Sequence, residues 1–183
     1  MRIIETERLL LRPVTPEDGD RVEELAGDYD VAKTTLNIPY PYPAGGGKEF
    51  IKSVLESEKN GKIAIFAITD KEKRNLLGLI NLNIAIAHQR GELGYFIGKL
   101  YWGMGYGTEA GRAILSYGFN ELDLNKIYAA AFTSNPGSWR IMEKIGLKHE
   151  GTHKQHVSRS GEFFDLAYYG LVKEDYLKEA KQD

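Results

Sequence analysis

The sequence contains no cysteine, which excludes a disulfide framework, a thiolate nucleophile and a zinc site with cysteine ligands. It has only four histidines, so we expect no metal site. The formal net charge is only −2, which gives no electrostatic drive toward nucleic acid or an anionic membrane surface. Every apolar run is far shorter than the roughly 20 residues that span a bilayer. We therefore expect neither a nucleic-acid partner nor a membrane partner.

The chain is long enough for one domain with a substantial core, and no change in composition or low-complexity stretch divides it. We therefore expect a single domain over residues 1–183. The first residues, MRIIETERLL, carry an acid within their apolar run and lack the small-residue cleavage site of a secretion signal. The expected location is the cytoplasm.

Hydrophobic periodicity predicts a mixed series of strands and helices separated by glycine, proline and polar turns. The predicted strands are 7–12, 62–70, 76–86, 92–98, 126–133 and 163–171, and the predicted helices are 16–27, 48–58, 108–122 and 138–144, with a short helix after the last strand. The strands on either side of helix 108–122 should run parallel, because a crossover helix joins them. The three strands before that helix read as an antiparallel meander. The predicted fold is therefore a mixed α/β domain.

A glycine-rich loop connects the strand 92–98 to the helix 108–122. Its sequence, LYWGMGYGTEAG, has glycine at every second position, namely Gly103, Gly105 and Gly107. Glycines let the backbone turn freely, and the start of a helix presents backbone N–H groups and the positive end of its dipole. This combination suits a phosphate or pyrophosphate, so we predict an anion-binding loop.

Two familiar phosphate-binding loops do not match this stretch. A nucleotide-triphosphate loop ends in Gly-Lys-Ser/Thr, whereas Gly107 is followed directly by Thr108. A dinucleotide-binding loop needs an acid at the end of the next strand, and that strand ends here in Thr133. From glycine spacing alone, a tight turn without a ligand remains an equal alternative.

The residues around the loop resemble the GNAT acetyltransferases. The segment 102–107 resembles their Gln/Arg-x-x-Gly-x-Gly/Ala signature with tryptophan in the first position, as in enzymes similar to ribosomal-protein N-terminal acetyltransferases. The segment 134–151, SNPGSWRIMEKIGLKHEG, and the opening ETERLLLRPVTPEDGD also resemble that branch. The second signature is matched at Asn135, Ser138, Glu143, Lys144, Gly146, Glu150 and Gly151, while Leu147 replaces the usual phenylalanine.

This resemblance implies that acetyl-coenzyme A is the co-substrate and that the two parallel strands splay apart to admit its pantetheine arm. The pyrophosphate would lie on the loop, whose predicted cofactor-binding residues are Trp102, Gly103, Met104, Gly105, Tyr106, Gly107 and Thr108. The pantetheine would pair with the strand edge at Phe96, Ile97 and Gly98. Asn135 and Ser138 would meet the thioester.

The catalytic acid and base are predicted with the same resemblance in view. Many family members keep a tyrosine acid where this chain has Met142, and the ribosomal-protein branch uses the serine matched by Ser138. A purely structural role for Ser138 is the N-cap of the helix that follows, and the two roles can coexist. The branch's glutamate base is replaced by Val157, so Glu92 on the strand before the loop is the first candidate base. His156 is the second, because an imidazole changes charge near neutral pH.

The segment 37–47, NIPYPYPAGGG, is too rich in proline and glycine to lie inside a helix or central strand. Its Tyr40 and Tyr42 are amphipathic side chains that often form contact surfaces in loops. In the family that this chain resembles, this segment commonly lines the acceptor cleft, so we expect both tyrosines to bind substrate.

The predicted function is acetyl transfer from acetyl-coenzyme A to a primary amine, with a protein or peptide N-terminus as the favoured acceptor. A small-molecule amine such as a polyamine, amino acid or aminoglycoside is an alternative, although a polyamine would require several acids around the cleft. A non-catalytic acyl-coenzyme A sensor is another alternative, because the usual tyrosine and glutamate are missing. The oligomeric state stays open, with a homodimer as one candidate.

Overall fold

The computed structural model describes residues 2–179. The strands are β1 (Ile4–Glu5), β2 (Leu9–Pro13), β3 (Ile63–Asp70), β4 (Leu76–Ala85), β5 (Arg90–Ile97), β6 (Lys126–Phe132), β7 (Lys148–Arg159) and β8 (Glu162–Val172). The helices are α1 (Gly19–Ala26), α2 (Tyr29–Ala32), α3 (Gly46–Lys59), α4 (Tyr106–Asn120), α5 (Pro136–Lys144) and α6 (Lys173–Glu179). In this part of the chain, no helix is long and apolar enough to cross a membrane.

The described strands form one sheet in the order β1-β2-β3-β4-β5-β6-β8-β7. Its neighbouring strands run antiparallel except for β5 and β6, which run parallel. Helix α4 returns the chain to the same end of the sheet, which is the crossover that a parallel pair requires. The predicted fold class, a mostly antiparallel mixed sheet with one parallel pair, is confirmed.

The parallel ladder is short. It runs from Arg90 opposite Lys126 to Glu92 opposite Tyr128. Beyond that point both strands continue for several residues without pairing with each other. Their divergence opens a gap between their carboxyl ends, which we call the slot.

Helices cover both faces of the sheet. On the α1/α3 face, the buried core contains Val22, Leu25, Ile51, Val54, Ile65 and Leu79. On the α4/α5 face, a larger core contains Ile80, Leu93, Ile97, Ile114, Ile127, Met142 and Ile145. Because successive strand residues point to opposite faces, β5 contributes side chains to both cores and forms one wall of the slot.

Strand β7 was not predicted from the sequence. Its residues, KHEGTHKQHVSR, lack the apolar alternation of a half-buried strand, and most of them are exposed. The strand forms because its backbone pairs with β8, with register shifts between His149 and Gly151 and between His153 and Val157. Such bulges and polar side chains are typical of an edge strand.

The predicted connection between the first two long helices also differs from the structure. A short helix, α2, precedes it, and α3 already begins at Gly46, inside the stretch predicted as loop. The guanidinium of Arg159 donates hydrogen bonds to the carbonyls of Ala32, Thr35 and Ile38. These bonds attach the connection to the end of β7, which sequence patterns could not indicate.

Candidate active site

The glycine loop ends at the start of α4 with two residues in the left-handed region of backbone conformation. Gly103 has φ of 76° and Gly105 has φ of 82°, values that glycine adopts without steric cost. The first intrahelical hydrogen bond runs from the N–H of Glu109 to the carbonyl of Gly105, 3.0 Å away. The N–H groups of the first turn therefore point outward, as they do in an anion-binding helix start.

Two side chains hold this loop in place. The indole Nε1 of Trp102 donates to the carbonyl of Ile97 at 2.7 Å, which folds the loop back on the end of β5. Arg8 donates from Nη1 to the carbonyl of Met104 at 2.9 Å and from Nε to Oε2 of Glu109 at 2.8 Å. Sequence analysis assigned no role to Arg8, although it lies in the opening segment on which the family resemblance partly rests.

Glu109 completes this support from the first turn of α4. Its Oε1 accepts from the hydroxyl of Thr6 at 2.6 Å and from the backbone N–H of Arg8 at 2.8 Å. Burial by itself would raise the pKa of the Glu109 carboxyl, but these hydrogen bonds and the Arg8 cation lower it below its usual value. Glu109 is therefore a negative charge on a positive helix end, which favours the helix start.

The third alternating glycine has a different role. Gly107 is buried, and a Cβ placed on it would lie only 2.8 Å from Cδ1 of Ile141 on α5. Gly107 therefore allows α4 and α5 to pack closely beside the slot.

The backbone groups near the end of β5 point alternately toward β4 and toward the slot. The N–H of Gly98 donates to Leu77 of β4 at 2.8 Å, and the carbonyl of Phe96 points at Gly78 of β4. Backbone groups alternate in direction along a strand, so those of Ile97 point to the slot. Of the three residues predicted to pair with a pantetheine, Ile97 has this orientation, whereas Phe96 and Gly98 are turned toward β4.

Helix α5 begins at the carboxyl end of β6, next to the slot. Its N-cap is Asn135, whose Oδ1 accepts from the N–H of Ser138 at 3.2 Å, with Pro136 in the first turn. The prediction that Ser138 caps this helix is therefore wrong, because the N-cap lies three residues earlier, at Asn135. The Nδ2 of Asn135 donates to the carbonyl of Thr34 at 3.1 Å. Both polar ends of Asn135 thus have partners within the protein.

Ser138 is instead in contact with a tyrosine from β5. The hydroxyl of Tyr95 lies 2.9 Å from Oγ of Ser138 and 3.0 Å from its carbonyl oxygen. Burial raises the pKa of Tyr95 to about 12, although the bond to Ser138 acts in the opposite direction. Met142, at the family's usual tyrosine position, is 2% exposed and belongs to the core. Sequence analysis did not identify Tyr95.

Glu92 lies on the opposite, α1/α3 face of β5, at the point where the parallel ladder ends. The hydroxyl of Tyr128 on β6 donates to its Oε2 at 3.3 Å. Burial raises the pKa of Tyr128, and the nearby Glu92 carboxylate adds to that rise. Glu92 is half-buried, so it is shielded but still reachable by water. Ser138 and Glu92, both predicted as catalytic, therefore lie on opposite faces of the sheet beside the slot.

His156 lies on the exposed edge strand β7. Its ring centroid is 4.8 Å from that of His153 and 6.1 Å from that of Tyr168. Tyr168 on β8 pairs with Ala130, which places it diagonally next to Tyr128 on the same face. His156 is thus on the same side of the sheet as Glu92 but farther from the end of the ladder.

The two tyrosines of the loop 37–47 have different surroundings. Tyr40 is 54% exposed, with its ring 4.9 Å from that of Tyr29 in an edge-on arrangement. Tyr42 is half-buried, and its ring lies against Gly46, where an added Cβ would come within 3.1 Å. Burial, together with Glu23, raises the pKa of Tyr42. Tyr42 therefore packs between the end of α1 and the start of α3, whereas Tyr40 is the more accessible of the two, and a substrate-contact role for both stays a prediction.

The fold and the loop correspond to a known family of proteins. Residues 8–148 match the family model of the acetyltransferase (GNAT) domain. The crystal structure of an acetyltransferase (GNAT family) from Bacillus anthracis is 30% identical and has a TM-score of 0.84, covering 94% of this chain and 99% of that chain. The protein belongs to the GNAT acetyltransferase family and is an N-acetyltransferase.

Two further proteins of this class have acceptors in their names. The spermidine N(1)-acetyltransferase of Escherichia coli (strain K12) is 26% identical over 171 residues, 93% of this chain and 89% of that protein. The crystal structure of a ribosomal-protein-S5-alanine acetyltransferase from Vibrio fischeri superposes with a TM-score of 0.83 at 19% identity. The match covers 96% of this chain and 99% of that chain, so the two proteins share the fold. The two names differ in acceptor, so the comparisons leave the acceptor of this chain open.

Proposed function

We propose that this enzyme transfers an acetyl group from acetyl-coenzyme A to a primary amine, with a protein or peptide N-terminus as the favoured acceptor. The observation that carries the proposal is the outward-facing first turn of α4 at one end of a slot that also has Ser138 at its side. Such a helix start suits a pyrophosphate, and Gly103 offers it open space, since a Cβ there would meet nothing within 4 Å.

The residues beside the slot offer a proton acceptor on one face of the sheet and a hydrogen-bond donor on the other. Attack requires a neutral amine, and Glu92 on the α1/α3 face can accept its proton directly or through water. The hydroxyl of Ser138 on the α4/α5 face can donate a hydrogen bond to the leaving sulfur and so stabilise the negative charge that develops there. Acetyl-coenzyme A supplies the activated acyl group, and the protein supplies orientation and these two polar groups.

The charges near Glu92 support a singly charged acceptor over a polyamine. Glu150 lies on the same face, but the ammonium of Lys126 binds it at 2.7 Å. Arg90 lies over the ring of Tyr128 at 5.6 Å, which adds a second cation beside the candidate base. A polycation is best recognised by several unpaired carboxylates, and these cations oppose it.

A small-molecule amine is the second candidate acceptor, favoured by the sequence relation to a spermidine acetyltransferase. A non-catalytic acyl-coenzyme A sensor is the third candidate. It is suggested by the core position of Met142, where many family members keep a tyrosine acid, and by Val157, where the ribosomal-protein branch keeps a glutamate base.

A thioester-consumption assay tests these candidates together. The purified protein receives acetyl-coenzyme A and, separately, peptides with a free N-terminus, the same peptides with a blocked N-terminus, spermidine, amino acids and an aminoglycoside. Turnover with free but not blocked peptides supports the proposal. Faster turnover with spermidine or another small amine would show that the acceptor is a small molecule and not a peptide N-terminus. Binding of acetyl-coenzyme A without turnover on any amine would favour the sensor.

A further inference from the structure

The hydroxyl of Tyr95 has two acceptors and a single proton. It lies 2.9 Å from Oγ of Ser138 and 3.0 Å from the carbonyl oxygen of the same residue. In one arrangement Tyr95 donates to the carbonyl, and the Ser138 hydroxyl donates back to the tyrosine oxygen. In the other, Tyr95 donates to Oγ, and the Ser138 proton is free to point elsewhere. Rotation of two hydroxyl groups interconverts the arrangements without moving a heavy atom.

The position of this pair makes the second arrangement useful. Tyr95 has the same backbone direction as Ile97, so its backbone faces the slot while its side chain reaches the first turn of α5. Ser138 is half-buried beside it. A Ser138 proton released from Tyr95 can therefore donate into the slot, where the proposed function puts the leaving sulfur.

Tyr95 is suited to donate a hydrogen bond without ionising. Burial raises its pKa to about 12, so the phenol stays protonated throughout the neutral range. A buried tyrosinate would be costly for the same reason. Tyr95 therefore acts on Ser138 through a hydrogen bond.

We propose that Tyr95 is the positioning residue that turns the Ser138 hydroxyl toward the departing thiolate by switching its own hydrogen bond from the Ser138 carbonyl to Oγ. This inference rests on the proposed function. The carbon–nitrogen bond forms as the carbon–sulfur bond breaks, and sulfur keeps the electron pair. The amine proton goes to the base, the thiolate later takes a proton from water, and Tyr95 and Ser138 keep their own protons.

The test uses bound coenzyme A, because its thiol can be titrated without an acceptor. A hydrogen-bond donor aimed at the sulfur of a thiol stabilises the thiolate and lowers the pKa of that thiol. The ultraviolet absorbance of the thiolate is followed against pH for the wild-type complex and for Ser138→Ala and Tyr95→Phe. We expect the thiol pKa to rise by about half a unit or more in each variant.

The double variant separates positioning from general damage. If Tyr95 acts through Ser138, Tyr95→Phe should change the titration little once Ser138 is alanine. With a working acceptor, Tyr95→Phe should also lower the single-turnover rate about fivefold, the equivalent of one ordinary hydrogen bond, and leave the dissociation constant of coenzyme A unchanged. Tyr117→Phe is the matched control, since it removes another buried tyrosine hydroxyl from a later turn of α4.

The outcomes are distinct. A thiol that titrates alike in wild type and Tyr95→Phe overturns the role of Tyr95, and if Ser138→Ala still shifts it, the role of Ser138 stands. A wild-type protein that does not bind coenzyme A overturns this inference together with the proposed function. If Tyr95→Phe does not fold, 3-fluorotyrosine placed at position 95 gives the same test in reverse. Its stronger donation should lower the thiol pKa, and an unchanged pKa would overturn the inference.

Discussion

Asn135 donates its side-chain Nδ2–H to the backbone carbonyl of Thr34, 3.1 Å away. The Oδ1 of the same side chain accepts from the N–H of Ser138 and caps α5. One amide thus joins the connection after α2 to the helix that carries the proposed sulfur-facing hydroxyl. Asn135 therefore links the connection that carries Tyr40, which we propose contacts the acceptor, to the start of α5.

Asn135→Asp separates the two bonds. Aspartate is an equally good N-cap, so the bond from the Ser138 N–H should persist. It cannot donate to the Thr34 carbonyl, and two oxygens would then face each other. We expect the Michaelis constant of the acceptor to rise about tenfold, in line with about 1–3 kcal/mol for an unsatisfied buried partner, while coenzyme A affinity stays near wild type.

Asn135→Ala is the comparison variant, because it removes both bonds. It should also destabilise the start of α5 by about 1 kcal/mol, measured by denaturant unfolding. If the aspartate variant weakened coenzyme A binding as strongly as acceptor binding, the link would have no separate role on the acceptor side.

Gly105→Val should abolish coenzyme A binding in calorimetry. The left-handed conformation of Gly105 is costly for a β-branched residue, and a Cβ there would lie 3.3 Å from Nη2 of Arg8, which holds the loop, so the loop and its outward N–H groups should shift. Gly61→Val is a matched control, since Gly61 has φ of 68° and open space around it, in the turn after α3. Both variants should lose about 1–2 kcal/mol of stability, but only Gly105→Val should lose the ligand. Unchanged affinity in folded Gly105→Val would refute the proposed pyrophosphate position.

Tyr40→Ala and Tyr42→Ala should have different effects. Tyr40 is exposed, so its loss should raise the acceptor Michaelis constant about fivefold and leave the melting temperature nearly unchanged. Tyr42 packs between α1 and α3, so its loss should cost about 2 kcal/mol of stability. Steady-state kinetics and thermal unfolding measure the two effects. A Tyr40 variant that raised the constants of both substrates equally would indicate a general structural role.

The two candidate bases can be distinguished by the pH dependence of the maximal rate. Glu92→Gln should lower the rate about a hundredfold and flatten its acidic limb if Glu92 accepts the amine proton. His156→Ala should have that effect if the imidazole is the base, but its exposed position on β7 favours a small change. Near-full turnover in both variants would mean that solvent removes the proton and that the enzyme works by positioning.

The ion pair of Asp18 and Arg12 should make stability depend on pH. Burial alone would raise the pKa of Asp18, but Arg12, whose Nη2 lies 2.6 Å from Oδ1, and the Thr15 N–H lower it below the usual 3.8. A carboxyl with a lowered folded-state pKa contributes stability above its unfolded value, and loses it as pH falls through the folded value. We expect Asp18→Asn to cost about 2 kcal/mol at neutral pH, less than a fully buried pair because Arg12 is partly exposed.

Denaturant unfolding at several pH values measures this effect. The difference between wild type and Asp18→Asn should be constant above about pH 5 and should shrink below about pH 4. Glu24→Gln, which removes an exposed partner of Arg21, is the control and should show no measurable change. If the difference in unfolding free energy between wild type and Asp18→Asn stayed the same at low pH, the contribution of Asp18 would not depend on its charge.

Local patterns were enough to predict most of the fold. The helix over α4, the strands β3 to β6 and the parallel pair were all indicated by apolar periodicity and glycine positions, because these elements bury one or both faces. Strand β7 was not predicted, since its partner β8 holds it through backbone bonds while its own side chains face solvent. The same limit applies to α2, whose four residues give no periodic pattern.

The sequence by itself determined that a glycine loop opens α4 after a strand, and its signatures pointed to the acetyltransferase family, because these features lie within short, contiguous stretches of chain. The tertiary structure alone decided which side chains meet at the slot. Tyr95 and Ser138 are 43 residues apart, and Arg8 and Met104 are 96 apart. Contacts over such separations depend on strand register and helix packing, which a single sequence does not display. For the same reason, only the folded chain turned Tyr42 inward, capped α5 with Asn135, and placed Glu92 and Ser138 on opposite sides of the slot.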